Sequence, residues 1–294
     1  MTVRPIEKDD FAKFAKAGGY LKQYAGLVER WSEKGDVDIN DCFVFYDSDF
    51  PLGGVCFNDD TETELYILDF EMSPIVENGH EYLRQALMQV VKHNTMRISY
   101  NLYDDTEQYA DIQKLFLQAG FIIRQKKRRF IHEVIEYTTD TMLTFKSIVE
   151  VGEKLFTETV ERVTFETLDS LMADDWKTLG SNRAAEEYVA SLKEMDFNPE
   201  MWLLAYDGDT LIGLIITQRF DETYGAINYI GVLPEYRGRG YGSGLVIEGV
   251  RLLKGASVDK IIADIDVENK PLAAQLERVG FESTMEEVVL IYTR

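Results

Sequence analysis

The sequence predicts a mixed α/β fold built twice in tandem, and three observations predict it. Strand-like runs and amphipathic helix-length runs follow one another in the order ββ-β-α-β-α-β. That order recurs at a constant offset of 160 residues. The length, 294 residues, suits two domains of roughly 100–150 residues better than one.

The offset rests on particular residues. Tyr46-Asp47-Ser48-Asp49 falls on Tyr206-Asp207-Gly208-Asp209, Gly53 on Gly213, Pro74 on Pro234, and Gly120-Phe121 on Gly280-Phe281. In each copy a hairpin comes first, FVFYDSDFPLGGVCF and WLLAYDGDTLIGLIIT, with β-rich runs around an acidic, glycine-containing turn. The strands LYILDFEM and AINYIGV follow, each leading to a helix, HEYLRQALMQVVKHN and GSGLVIEGVRLLKGA. In the latter, Leu245, Val246, Gly249, Leu252 and Leu253 share one face at helical spacing. The strands RISYNLYD and KIIADIDV come next, then a second helix ending at Gly-Phe, then a closing strand, FIIRQKKRRFIHEV or FESTMEEVVLIYT. Helical segments precede each hairpin, at about 8–31 and 167–194. The boundaries expected are a first domain over 1–140, a linker and first strand of the second copy over 141–164, and a second domain over 165–294.

Composition excludes several classes of function. The formal charge is −21, with 16 basic against 25 acidic residues up to position 140 and 15 against 27 after it. So acidic a chain is repelled by phosphate backbones and anionic lipid, so neither nucleic acid nor membrane is expected as a partner. It attracts cationic small molecules. The N-terminus MTVRPIEKDDF has no apolar leader, and the longest membrane-like run, LIGLII at 211–216, is far too short to span; a cytoplasmic location is expected. Cys42 and Cys56 lie on two strand-like runs joined by a turn, which allows a cross-strand contact, and are read as reduced, buried thiols. Two cysteines and three scattered histidines, His80, His93 and His132, offer no metal-ligand spacing. The basic run Lys126-Lys127-Arg128-Arg129 reads as a solvated strand face.

The chemistry concentrates in LPEYRGRGYGSGLV, 233–246, where a strand passes through a glycine-rich turn into a helix. Glycines let consecutive amides point inward, and the helix N-terminus adds roughly half a positive charge, which together make an anion site. A Walker loop needs a lysine after its glycines, and there is none. A dinucleotide fingerprint needs a third glycine where Ser243 stands and an acid ending the next strand, whereas Asp259 precedes its strand.

The stretch Arg237-Gly238-Arg239-Gly240-Tyr241-Gly242 resembles motif A, [QR]-x-x-G-x-[GA], of the GNAT superfamily of acyl-CoA-dependent N-acyltransferases, with the family's V-x-P-E-Y-R lead-in. Downstream, DVENKPLAAQLERVGF resembles motif B in Asn269, Gly280 and Phe281. The resemblance is direct over about 165–294 and reaches 1–140 through the repeat. It implies a tandem, bacterial-type member: two GNAT-like domains, each a mixed, mostly antiparallel sheet flanked by helices with a splayed strand pair for CoA. It implies acetyl-CoA as co-substrate, no metal, and a small, cationic primary amine as acceptor, in a monomer or homodimer. The implied cofactor contacts are Ile230, Gly231, Val232, Leu233, Arg237, Gly238, Arg239, Gly240, Tyr241, Gly242, Ser243 and Asn269. Among them, amides of 238–243 bind pyrophosphate, strand 228–232 pairs with pantetheine, Val232 or Leu233 polarises the carbonyl, and Arg237 and Arg239 reach phosphates.

The first copy departs from this pattern. It reads PIVENGHEY, with Glu77 facing Arg237 and Asn78 facing Gly238, and is expected to serve as scaffold and wall of the substrate cleft without binding CoA. The family's catalytic groups are absent as well. The motif-B tyrosine position is Leu276, or Phe116 in the first copy, and the strand AINYIGV carries no glutamate. Candidate substitutes are Tyr229 and Tyr241, with Tyr224 beside them, as acids, and Asp264, Asp266 and the pair Asp221-Glu222 as proton relays or cation partners. Two functions stay open: an N-acetyltransferase with one working half, and a CoA-binding sensor without turnover.

Overall fold

The computed structural model describes residues 1–59, 64–72, 76–91, 95, 97–133, 141–195 and 197–293. Pro74 of the first-copy loop, His93 and the junction at 134–140 lie outside the described residues. In chain order the elements are β1 (Thr2–Pro5), α1 (Lys8–Ala17), α2 (Gly19–Lys34), β2 (Cys42–Asp47), β3 (Phe50–Asp59), β4 (Glu64–Met72), α3 (Gly79–Val90), β5 (Arg97–Tyr103), α4 (Tyr109–Ala119) and β6 (Ile122–Glu133). Then come β7 (Thr144–Ser147), α5 (Ile148–Val151), α6 (Glu153–Thr164), α7 (Ser170–Leu179), α8 (Ser181–Glu194), β8 (Trp202–Asp207), β9 (Thr210–Arg219), β10 (Tyr224–Val232), α9 (Tyr241–Gly255), β11 (Lys260–Asp266), α10 (Lys270–Val279) and β12 (Glu282–Thr293).

The chain forms two compact units, Met1–Arg124 with Glu287–Arg294, and Gln125–Glu286. The strand order is β1-β2-β3-β4-β5-β12 in the first and β7-β8-β9-β10-β11-β6 in the second. In both, a parallel pair joins the strand after the hairpin to the strand after the next helix. The units therefore share one mixed, mostly antiparallel α/β architecture, and the sequence repeat is a structural repeat.

Their make-up differs from the 1–140 and 165–294 division that the sequence suggests. β6, from the first half of the chain, pairs antiparallel with β11 from Lys260↔Glu133 to Asp266↔Lys127. β12, from the end of the chain, pairs antiparallel with β5 from Glu287↔Tyr103 to Thr293↔Arg97. Each unit is completed by the closing strand of the other copy. The two closing strands occupy equivalent places in the repeat, so the alternation of apolar residues suits either pairing. Side chains distinguish them. Arg129 makes a two-pronged bond to Asp264 at 2.8 and 2.7 Å, and Arg128 binds Glu286 at 2.6 Å. The basic run is thus partly ion-paired, with Arg128 and Arg129 on acids of the second unit, and is not simply a solvated face.

Each unit has a core on both faces of its sheet. In the first, Phe45, Phe57, Ile67, Leu83, Phe116 and Leu290 pack under α3 and α4, while Phe14, Tyr24, Val28, Val44 and Cys56 pack under α1 and α2. In the second, Phe156, Val160, Trp202, Leu214, Leu245, Val250 and Leu276 belong to one continuous cluster. The repeated Gly-Phe ends the second helix of each copy. Gly120 and Gly280 take φ of 109° and 102°, a left-handed stop, and Phe121 and Phe281 turn into the core.

Cys42 and Cys56 face each other across β2 and β3, buried and free, with their Sγ atoms 2.9 Å apart. The strongest buried polar anchor of the first unit is Asp10. It accepts two bonds from Arg4 at 2.7 and 2.8 Å, one from Tyr46 at 2.7 Å and one from the Glu7 amide at 2.8 Å. Among the described residues, no helix is long and apolar enough to cross a membrane, and no three His, Cys, Asp or Glu side chains cluster as metal ligands.

Candidate cofactor and acceptor site

The site begins at a fault in the sheet of the second unit. β10 pairs with β9 along its whole length, but the register shifts between Ile227 and Tyr229, so Asn228 bulges and donates to Gln218 at 2.5 Å. A bulge bends and twists its strand. On the other side β10 pairs with β11 only from Tyr224↔Lys260 to Ala226↔Ile262. Beyond that point β11 keeps its bonds to β6 and the two strands splay, leaving the β11 side of Ile227–Val232 unpaired. The Leu233 amide is taken by the Ile212 carbonyl at 2.8 Å. Successive amides of a strand point to opposite sides, so the Val232 N–H points to the open side. Of these two amides, Val232 and not Leu233 faces the open side.

The glycine loop follows directly. After a single 3-10 turn at Pro234–Tyr236, Gly238 and Gly240 take φ of 75° and 88°, where a Cβ is strained. Gly240 is the N-cap of α9 and has no side chain to bond the first-turn amides, so they stay open to an anion. Ser243 is turned toward α10 and donates to Gln275 at 2.5 Å. Arg239 donates to the Glu235 carbonyl at 3.0 Å and lies over the Tyr236 ring.

Arg237 behaves differently from its expected reach toward phosphates. Its Nε donates to the Val232 carbonyl at 3.1 Å and Nη1 to Glu166 at 3.3 Å. Its Nη2 donates to Val163 and Phe165, both at 2.8 Å. Every guanidinium nitrogen is thus engaged on carbonyls, most of them at the end of α6, where a cation also complements the helix dipole. Asn269 likewise serves its own helix: its side chain caps α10 by accepting from the Leu272 amide at 3.3 Å.

The catalytic candidates separate on geometry. Asp264 is held by Arg129. Asp266 accepts from the Ser170 amide and hydroxyl at 3.1 and 2.6 Å, from the Glu268 amide at 2.9 Å and from Gln125 at 3.3 Å. Burial raises its pKa, but these donors outweigh burial and hold it below the usual carboxylate range. Neither aspartate is a free base. Tyr241 donates to Asp207 at the end of β8 at 2.8 Å, and that bond lifts its pKa. Tyr229 stands on the unpaired stretch of β10. Burial raises its pKa, and the nearby charge of Asp169 adds to this. Its hydroxyl lies 3.4 Å from Thr164 and its ring meets Tyr188 edge-on. It keeps its proton at neutral pH and can donate a hydrogen bond. Leu276 is buried in the core and carries no proton to give. Asp221 accepts from the Thr223 and Tyr224 amides and so shapes its own turn.

Sequence reading did not find the residues around Tyr229 and Asp266: Thr164, Asp169, Ser170 and Tyr188. They lie on α6, α7, α8 and their connections, a region where the second unit has more helices than the first and the repeat gives no guide. In the first unit β4 also splays from β5 after Tyr66↔Ser99, but its open stretch carries Asp69 and Glu71. Burial pushes Asp69 up to about 6. Burial and then the Asp69 charge push Glu71 up to about 7. The loop ahead of α3 there exposes Glu77, with Asn78 as the N-cap.

Comparison with known proteins supports the same reading. Residues 166–281 match the family model described as Acetyltransferase (GNAT) family. A mycothiol acetyltransferase of Actinosynnema mirum is 34% identical over 93 residues, 31% of this chain and 31% of that protein. One of Streptomyces griseus is 29% identical over 157 residues, 49% of each. The chain thus spans less than half the length of these curated relatives. Among solved structures, a GCN5-related N-acetyltransferase from Sphaerobacter thermophilus aligns over 99% of this chain and 95% of its own, with TM-score 0.58 at 15% identity. A tandem GNAT protein from the clavulanic acid biosynthesis pathway aligns over 86% and 82%, with TM-score 0.55 at 11% identity. Residues 166–281 thus match the GNAT acetyltransferase family model, and the two units share the fold of the solved GNAT proteins that align with the chain.

Proposed function

We propose that the second unit binds acetyl-CoA and transfers its acetyl group to the primary amine of a small cationic acceptor. The observation that carries this reading is the junction of an unpaired strand edge, Ile227–Val232, with an uncapped helix N-terminus at Gly240. A pantetheine arm adds to such an edge as an extra strand, and a pyrophosphate sits against such an N-terminus. The contacts fall on the main chain of Ile230, Gly231, Val232 and Gly238–Ser243. Arg237 acts by holding the loop to α6.

In the reaction the deprotonated amine attacks the thioester carbonyl, a C–N bond forms and the C–S bond breaks. The amine proton leaves to solvent and the CoA thiolate takes one up. Thiolate is a good leaving group, so the buried Leu276 in place of an acid slows turnover without preventing it. The Val232 amide polarises the carbonyl, and Tyr229 is the nearest phenol to the edge. The strongly acidic chain favours cationic acceptors. The first unit binds no CoA, because its open edge and its loop carry carboxylates.

A second reading, CoA binding without turnover, is favoured by the engagement of Asp264 and Asp266 in structural bonds. Thiol release measured with acetyl-CoA and a panel of small amines separates the two. Release above the amine-free background supports transfer. Micromolar CoA binding with no release from any amine would leave the sensor reading.

A further inference from the structure

We propose that a groove at the end of α6 is the recognition subsite for the acceptor, and that it selects an ammonium group carrying apolar substituents. This rests on the acetyltransferase reading above. The groove has a volume of about 390 Å³ and is lined by Glu161, Arg162, Phe165, Trp176, Pro234 and Glu235.

Its walls are two aromatic rings. Phe165 and Trp176 meet with centroids 5.7 Å apart and planes at 68°. Phe165 is 44% exposed, an uncovered aromatic ring beside a site. In an edge-to-face pair one ring keeps a face uncovered, and it is that electron-rich face, not the electron-poor edge, that receives an alkylammonium. The indole N–H of Trp176 is closed off from water and has no hydrogen-bond partner among the described residues. An N–H is itself a donor and does not hold a cation, so that role falls to the ring face and to the Glu161 carboxylate.

The charge also fits a cation. Two carboxylates and one guanidinium line the groove. Arg162 is committed to Glu235 at 2.6 Å, whereas Glu161 accepts only from the Ser181 hydroxyl, at 2.5 Å, among the described residues. The Glu161 carboxylate therefore has lone pairs left for a ligand.

The groove is joined to the reacting edge through a short stretch of chain. Thr164, the neighbour of Phe165, lies beside the Tyr229 hydroxyl on the unpaired part of β10. Pro234 and Glu235 directly follow that strand, and Arg237 ties the Val163 and Phe165 carbonyls to the glycine loop. An ammonium-bearing molecule seated on the rings thus lies next to the segment that frames the thioester edge.

The test uses benzyltrimethylammonium, a cation with an apolar substituent that cannot be acetylated, followed by saturation-transfer NMR on its methyl groups with the full chain. Saturable binding is expected in the wild type and in Trp176→Phe, which keeps a ring. Trp176→Ala and Glu161→Gln are each expected to weaken it by roughly tenfold, with acetyl-CoA affinity within about twofold of wild type in all variants. Absence of saturable binding up to about 50 mM, or equal affinity in wild type, Trp176→Ala and Glu161→Gln, overturns the proposal. Because the probe needs no turnover, its failure is distinguishable from failure of the acetyltransferase reading, which thiol release and acetyl-CoA binding report separately.

Discussion

Arg237 and Val163 are 74 residues apart in sequence, and the Arg237 Nη2 donates to the Val163 carbonyl at 2.8 Å. With the bonds to Phe165, Glu166 and Val232, this makes Arg237 a clamp between the glycine loop and the end of α6. Hydrogen bonds from a charged donor contribute about 1.5–3 kcal/mol each when well formed, and less at an exposed site. Arg237→Gln is therefore expected to raise the KM for the amine by about tenfold while changing acetyl-CoA affinity by less than about threefold. Steady-state kinetics with both substrates varied reads this directly. A loss confined to acetyl-CoA affinity would put the guanidinium on the phosphates.

The crossing of the closing strands gives a prediction by truncation. Ending the chain after Glu286 removes the strand that pairs with β5, together with the buried Val288 and Leu290. Each of those side chains contributes about 2 kcal/mol on burial, beyond the lost ladder. Amide exchange should lose protection over 97–103 in the first unit while 260–266, paired with β6, stays protected. Protection lost instead at 260–266 would mean that each copy closes on its own strand.

Asp69 and Glu71 make the first unit sensitive to pH. Both have raised folded-state pKa values, from 3.8 to about 6 and from 4.5 to about 7, with burial as the main cause. Between pH 4 and 7 the folded state binds more protons than the unfolded one, so stability falls as pH rises through that window. The loss from Asp69 alone is on the order of 2–3 kcal/mol. Asp69→Asn should raise the Tm at pH 8 and leave it nearly unchanged at pH 4. Equal shifts at both pH values would show that the carboxylate is solvated.

Much of this was legible in the sequence, because it depends on local chain geometry. Gly120 and Gly280 had to stop helices, and the Gly238–Gly242 run had to open a helix N-terminus, so the repeat and the uncapped start of α9 could be read from spacing. What could not be read depends on contacts between distant segments. Nothing local tells whether Arg129 faces Asp264 or the first copy's own strand, so the exchange of closing strands was missed. Arg237 matched a motif, yet its partners lie on α6, a helix that the repeat does not align. The same gap hid Trp176 and Phe165. Asp264 and Asp266 looked available because sequence shows their face of the strand but not Arg129 or Ser170 opposite them.

The most direct test of the account is a calorimetric titration of the full chain with acetyl-CoA, alongside Gly240→Val. One site per chain is expected in the wild type. The site in the variant is expected to be roughly five- to thirtyfold weaker, since a β-branched residue strains the left-handed backbone at φ of 88° by about 1–2 kcal/mol and tilts the α9 amides away from the anion. Two sites per chain, or a variant that binds as tightly as wild type, would contradict it.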